Sequence, residues 1–235
     1  MATFCIQDLS ISYFKKNILS NISFVIQSPA FIAIVGHNGS GKTSFFKSIT
    51  QSIPYKGKIF LDDQLIKKQN HPSIVLLHQQ NNLAFDVSVQ DLIVIGSYRH
   101  KNFFDRYTEI DYQQVQQIAK KLHIDQLLSK NINTLSGGEQ QIVWLAQAMM
   151  QQASVYLLDE PTQYLDLYNK RKVFDVMQEL AYENNKIVFC ITHDLANLKG
   201  REGYLLNFSS ESIQLESISS EVLERSIEKL ETKME

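Results

Sequence analysis

The chain has little of what marks several protein classes. It carries two cysteines in 235 residues, Cys5 and Cys190, each inside an apolar, strand-like run. That excludes a disulfide framework and a cysteine-built metal site, and it predicts buried, reduced thiols in a reducing compartment. Long apolar runs are missing. Ile74–Leu77, Leu92–Ile95 and Ile187–Ile191 fall far short of the roughly 20 residues of a membrane span. The first residues, Met1 to Asp8, are neither basic nor followed by a long apolar core, so no signal peptide is expected. Any work at a membrane is expected to leave the spanning to another chain. There is no excess of one charge either: 23 basic and 25 acidic residues give a formal net charge of -2. Nucleic acid is therefore not an expected partner, and the lysine pairs at 15–16, 67–68 and 120–121 read as solvated faces. The length suits one large domain or a domain with a sub-lobe. No internal repeat or low-complexity linker interrupts it.

Glycine is sparse, nine in all, and its densest use falls in the stretch that organises the chain, Gly36-His37-Asn38-Gly39-Ser40-Gly41-Lys42-Thr43-Ser44. An apolar run, Phe31–Val35, precedes this stretch and a potentially helical one, Phe45–Ile49, follows. Strand, glycine-rich loop and helix with Lys-Thr at the loop's end form the phosphate-binding P-loop pattern. Glycines let the backbone aim several N–H groups at one anion. The helix start adds unpaired N–H groups and the positive end of its dipole. Lys42 supplies a mobile charge for the β- and γ-phosphates, and the Thr43 hydroxyl is a hard oxygen ligand for Mg²⁺. By itself this stretch indicates a nucleoside triphosphate and little more.

Residues 2–35 read as strands, with Phe4, Ile6, Leu9 and Ile11, then Ile18, Ile22, Phe24 and Ile26, in rough alternation around a turn at Lys15-Lys16-Asn17. Tyr13, between these runs, either packs or stacks on a base. Gly57–Ile66 predicts a hairpin turning at Asp62-Asp63, and Ser73–Leu77 a buried strand ending in a polar cluster that begins at His78-Gln79. Gln79 is a loop residue or a ligand to a metal or water. From Val89 to about Leu128 the apolar period becomes helical, which predicts a helical sub-lobe inserted into an α/β body. Leu83-Ala84-Phe85 leads into it, as core or as a partner-facing segment. Ser136 and Glu139 have the spacing of a capping box, placing Ser136 at a helix N-cap. Gly137 and Gly138 weaken that helix start, which fits either an ordinary cap with a glycine-rich turn or backbone brought close to an anion. Val155–Leu158 predicts a buried strand ending in Asp159-Glu160. Two carboxylates at the carboxyl edge of a parallel sheet fit metal and water chemistry, with Asp159 in the Mg²⁺ shell and Glu160 on the attacking water. Strand alternation is expected to make the two side chains diverge. Asp166 can cap the next helix, whose apolar face is Val173, Val176, Met177 and Leu180. Ile187–Ile191 leads a further strand into Thr192-His193-Asp194. The tail from Ser219 is expected to be an amphipathic helix with Val222, Leu223, Ile227 and Leu230 inward.

The ordered set Gly36–Ser44, Gln79, Leu135-Ser136-Gly137-Gly138, Asp159-Glu160, Asp166 and His193 resembles the nucleotide-binding subunit of ABC transporters. These positions match its Walker A loop, Q-loop, signature, Walker B with catalytic glutamate, D-loop and switch histidine, and the match covers nearly the whole chain. The segments from Gln79 to Val89, from Pro161 to Asp166 and around Ser220–Leu223 are similar to the importers of iron-siderophores, haem and cobalamin.

The resemblance implies an α/β fold: a P-loop NTPase (RecA-like) core with an N-terminal antiparallel β subdomain and an inserted α-helical subdomain at about 80–130. It implies a single ATP-binding domain over 1–235 with a C-terminal helix at 218–235. It implies ATP and Mg²⁺ as cofactors, with Tyr13 on the nucleotide, Thr43, Gln79 and Asp159 around the metal, and Glu160, His193 and Gln79 in catalysis. The implied partners are membrane permease subunits, a second copy in a head-to-tail dimer whose Leu135–Gly138 loop completes the site, and indirectly a periplasmic or extracellular substrate-binding protein. The implied location is peripheral, on the cytoplasmic face of the inner membrane, with a chain soluble when isolated. Zinc, manganese or export substrates are alternatives. A mechanical ABC ATPase acting on DNA or ribosomes would usually carry a coiled-coil insert or a second fused ATPase unit, and this chain has neither; the signature argues against a P-loop kinase. Gln140, Gln141, Ile142 and Gln147 stand where arginines are usual and are expected to alter the salt bridges around the signature helix. The 199–203 segment is shorter than usual, and the glycine usual before the P-loop strand is missing near Ser28-Pro29.

Overall fold

The computed structural model describes residues 1–14, 16–69, 71–79, 86–102, 104–210 and 212–231, without the side chains of His100 and Glu231. Leu83-Ala84-Phe85 lies outside the described residues. Ten strands and six α-helices follow in the order β1 (Thr3–Tyr13), β2 (Lys16–Gln27), β3 (Ala30–Val35), α1 (Lys42–Ile49), β4 (Lys56–Leu61), β5 (Gln64–Leu65), β6 (Ile74–Leu77), α2 (Val89–Val94), α3 (Glu109–Lys121), α4 (Gly137–Met150), β7 (Val155–Asp159), α5 (Leu167–Tyr182), β8 (Ile187–Ile191), β9 (Tyr204–Asn207), β10 (Leu215–Ser217) and α6 (Ser220–Glu231). No helix among the described residues is long and apolar enough to cross a membrane.

The strands form two sheets. One is antiparallel, in the order β2-β1-β4-β5; the other runs β10-β9-β3-β8-β7-β6. In the second, β9, β3, β8, β7 and β6 are parallel and β10 closes the edge antiparallel. Parallel strands covered on both faces read as continuous apolar runs, and all five residues of β8 are buried accordingly. The pleat deals them to opposite sides. Val188 and Cys190 pack with the helical lobe, while Ile187, Phe189 and Ile191 face α1 and the antiparallel sheet. Phe189 is the hub of the second core, with its ring 5.4 Å from Phe4 and 6.4 Å from Phe45, both edge-on.

Local chemistry explains the connections. Asp62 and Asp63 turn the β4–β5 hairpin with φ of 50° and 61°, the paired left-handed geometry of a tight hairpin turn. The β1–β2 turn comes earlier than predicted: Lys16 already pairs with Tyr13, and Phe14 takes the left-handed conformation at φ 52°. Ser136 caps α4 and Asp166 caps α5, each accepting from the N–H three residues on. The last helix departs from expectation at Ile227, which is 40% exposed. The buried stripe of α6 runs through Leu223 and Ser226, and Ile227 falls at its edge. Cys190 is buried, which raises its thiol pKa, whereas Cys5 is half-exposed on the outer face of the antiparallel sheet; both are free thiols.

Asp111 locks the start of the helical lobe. Its carboxylate accepts from the Thr108 N–H (2.6 Å) and hydroxyl (2.7 Å) and pairs with Lys101 at 2.7 Å. Burial alone would raise its pKa, but the Lys101 and Thr108 bonds prevail and bring it down to about 2. The contribution to stability is present above the unfolded carboxyl pKa of about 4 and is lost as pH falls toward 2, on the order of 2 kcal/mol in all. Asp111→Asn is expected to lower urea stability by about that amount at pH 7, with the gap to wild type closing as pH drops below about 4. A gap independent of pH would rule out the charge as its source.

Candidate active site

The parallel sheet places the chemistry in a row. The P-loop follows β3, Thr192-His193-Asp194 follow β8, Asp159-Glu160 end β7 and Gln79 follows β6, and β3, β8, β7 and β6 are successive neighbours in the sheet. Segments far apart in sequence thus meet at one carboxyl edge, where ligands of open α/β sheets bind.

The P-loop closes tightly on itself. Gly39 and Gly41 have φ of 79° and 98°, and a Cβ on Gly41 would come within 2.8 Å of Ile18 and 2.9 Å of Leu19. Gly41 is also the N-cap of α1, with no side chain over the helix start, so the N–H groups there point into the loop. The Lys42 ammonium donates to the Gly36 and His37 carbonyls at 2.6 and 3.0 Å. Burial lowers its pKa, and the nearby Glu160 and Asp159 charges oppose that shift. Among the described residues the buried Ser40 hydroxyl has no hydrogen-bond partner. Tyr13 stands beside the loop, its hydroxyl 3.4 Å from that of Ser44, with its ring partly exposed.

Asp159 and Glu160 do diverge, but not through strand alternation. Asp159 is the last, buried residue of β7 and accepts from the Thr43 hydroxyl at 3.1 Å. Burial raises its pKa, and the Thr43 bond offsets part of the rise. Glu160 leaves the strand in the left-handed region at φ 51°, an unfavourable conformation for a side-chain-bearing residue and one that swings its carboxylate along the sheet edge. There one oxygen lies 3.2 Å from His193 Nε2 and the other accepts from Gln79 Nε2 at 3.0 Å. The His193 bond, working against burial, holds the Glu160 carboxyl below the usual glutamate range.

The predicted signature residues do not join this row. Leu135 is buried and Ser136 forms a full capping box with Glu139. The neighbours of Gly137 and Gly138 are Tyr164 and Leu165: a Cβ on Gly138 would meet the Leu165 side chain at 3.1 Å and the Tyr164 carbonyl at 3.3 Å. Ser136, both glycines, Tyr164 and Asp166 line one open cavity of ≈ 530 Å³. Gln140 donates to the Ile132 and Leu135 carbonyls at 3.1 and 3.2 Å, so at the usual arginine position it braces the loop before α4 through backbone carbonyls.

Two further residues hold the row in place, and sequence reasoning gave neither a role. Asp194 accepts from the Thr162 hydroxyl (2.7 Å) and pairs with Lys170 (2.8 Å), tying the segment after β8 to the segment after β7 and to α5. Its position directly after His193 was the available signal. Ser209, beyond β9, accepts from the His37 N–H at 3.1 Å and lies 3.0 Å from His37 Nδ1. At 172 residues' separation, no local pattern points to that pairing.

The ABC transporter family profile matches residues 19–163, more than half of the chain. The chain belongs to the ABC transporter family. It is an ATP-binding, ATP-hydrolysing subunit of the importer group, and it uses ATP with Mg²⁺. The ferric enterobactin transport ATP-binding protein FepC of Escherichia coli is 30% identical over 194 residues, spanning 80% of this chain and 72% of that one. The manganese transport system ATP-binding protein MntB of Halalkalibacterium halodurans is 29% identical over 210 residues, spanning 88% and 83%. An ABC transporter structure in an inward-facing conformation has the same fold, with a TM-score of 0.82 at 24% identity over 99% of this chain and 90% of that one.

The residues present fit ATP and Mg²⁺. Lys42 has backbone carbonyls as its hydrogen-bond partners, the Ser40 hydroxyl has no partner among the described residues, and two hard oxygens, on Thr43 and Asp159, sit 3.1 Å apart. Thr43 and Asp159 would supply two hard oxygens to Mg²⁺, with phosphate oxygens and water completing its shell.

Proposed function

We propose that this subunit energises uptake of an iron chelate, haem or cobalamin-type substrate, working as half of a head-to-tail dimer on membrane permease subunits at the cytoplasmic face. The observation that carries the dimer is the division of the site. The P-loop, Asp159, Glu160, His193 and Gln79 share one sheet edge, while Ser136, Gly137 and Gly138 open on a separate cavity beside Tyr164 and Asp166. A phosphate-seeking helix start with no phosphate loop beside it among the described residues of its own chain needs one from a second copy.

In this reading Gly36–Ser44 wraps the phosphates and Lys42 neutralises charge on the transferred group. Tyr13 lies beside the base. Thr43, Asp159 and Gln79 hold Mg²⁺, which shields the phosphate oxygens when bound. Glu160 takes a proton from the attacking water, and His193 positions the γ-phosphate. His193 and Gln79, the two groups bonded to the Glu160 carboxylate, also face the nucleotide in this reading. Gln79 then reports occupancy to the helical lobe, and the Gln79–Phe85 segment meets the permease. Asp166 sits at the dimer seam.

Iron rests on the similarity to a ferric enterobactin transport protein and on the 161–166 segment; the MntB relative supports manganese as a second reading. Reconstitution with its co-purified permease and binding protein in liposomes separates the two. ATP-driven accumulation of a labelled ferric chelate, haem or cobalamin is the expected result. Accumulation of labelled manganese alone selects the second reading, and ATP-independent uptake would remove both.

A further inference from the structure

At the opposite, amino end of the same sheet lies a cavity of ≈ 440 Å³ that the nucleotide chemistry leaves unused. It falls within the size range of small-molecule sites. Ile118 from α3, Met149 from α4 and Leu180 from α5 give it apolar walls, and the ring of Tyr156, the second residue of β7, adds another. Tyr156 is 1% exposed, and burial holds its phenol neutral by pushing its pKa well above the usual value.

Two lysines border the cavity, and they differ. Lys121 is spent on Glu179 at 2.5 Å. Lys186, directly before β8, pairs with no carboxylate among the described residues, and burial lowers its pKa with no acid to oppose the shift. Lys186 is half-buried at the rim of this cavity, so its ammonium is partly desolvated beside the apolar side chains, and an incoming anion would offset that cost.

We propose that this cavity is a binding site for a small organic anion with an apolar body, whose acid group pairs with Lys186 while its body lies against Ile118, Met149 and Leu180. The walls come from the helical lobe and from the core together, so an occupant bridges the two. The site is separate from that of ATP, because Tyr156 and Lys186 stand at the starts of β7 and β8 whereas Asp159, Glu160 and His193 stand at their ends.

The test uses anilinonaphthalene sulfonate as the fluorescent probe and octanoate as competitor, with ADP and Mg²⁺ at saturation to block the nucleotide site. One probe per chain, displaced by octanoate, is expected. Lys186→Glu is expected to weaken it about tenfold or more, a loss of about 1.4 kcal/mol. Gln117→Trp, at the exposed rim, is expected to obstruct entry with a similar loss and an unchanged unfolding midpoint. Octanoate is expected to raise the melting temperature of wild type and not of Lys186→Glu. Wild-type probe affinity in either variant, or no octanoate-displaceable probe once ADP and Mg²⁺ are saturating, overturns the proposal.

Discussion

Glu160→Gln is expected to slow ATP turnover by about 10²–10⁴-fold, the range lost with a general base, while ATP-dependent dimerisation persists. The geometry explains why binding survives. The carboxylate bonds of Glu160 run sideways to His193 and Gln79, not to the phosphate loop. A glutamine keeps the shape, and the Gln79 amide can invert to present an acceptor, so the sheet edge stays assembled. What is lost is the carboxylate, which the His193 bond keeps ionised below the usual glutamate range. Size-exclusion chromatography with ATP and a phosphate-release assay read the two effects separately. Full turnover in the variant would remove Glu160 from the role of base, and failure to bind ATP would show a structural effect instead.

Ser136→Arg is expected to reduce hydrolysis by about 10²-fold or more, on the scale of losing a transition-state donor, and to leave nucleotide binding by the isolated monomer intact. Ser136 lies on the cavity beside Tyr164 and Asp166, away from its own chain's P-loop row. The substitution also removes the capping hydroxyl that accepts from Glu139 N–H, at a cost of about 0.5–2 kcal/mol. Ser136→Ala carries the same capping loss without the bulk, so equal unfolding midpoints in the two variants isolate the steric effect on catalysis. Weaker monomer binding of ATP in Ser136→Arg than in Ser136→Ala would mean that the signature acts on its own chain's nucleotide.

Much of the fold was legible because its signals are local. The P-loop glycines, the Asp62-Asp63 turn and the caps at Ser136 and Asp166 each state a backbone requirement within a few residues. β8 and the first four residues of β7 read as buried strands because parallel strands covered on both faces are apolar throughout. Errors fell where a local pattern was an incomplete guide. Ile227 fits a helical stripe, but the stripe's orientation is set by what α6 packs against, and that packing favoured Ser226. The divergence of Asp159 and Glu160 was anticipated from strand alternation, yet a left-handed residue at the strand's end produces it.

The sequence by itself carried the local patterns: a glycine-rich loop ending in Lys42 and Thr43, a carboxylate pair at a strand end, a glycine-opened helix and the resemblance to the family that the chain belongs to. Each is a short-range pattern whose residue types are dictated by the ligand. Tertiary structure alone decided how they combine. Strand order brings β3, β8, β7 and β6 side by side, so that His193 and Gln79 close on Glu160 while Ser136 is left facing elsewhere. It also paired His37 with Ser209 and set Lys186, which pairs with no carboxylate among the described residues, at the rim of a cavity. Such pairings depend on which edges meet across the sheet, and side-chain period and turn chemistry carry no record of that.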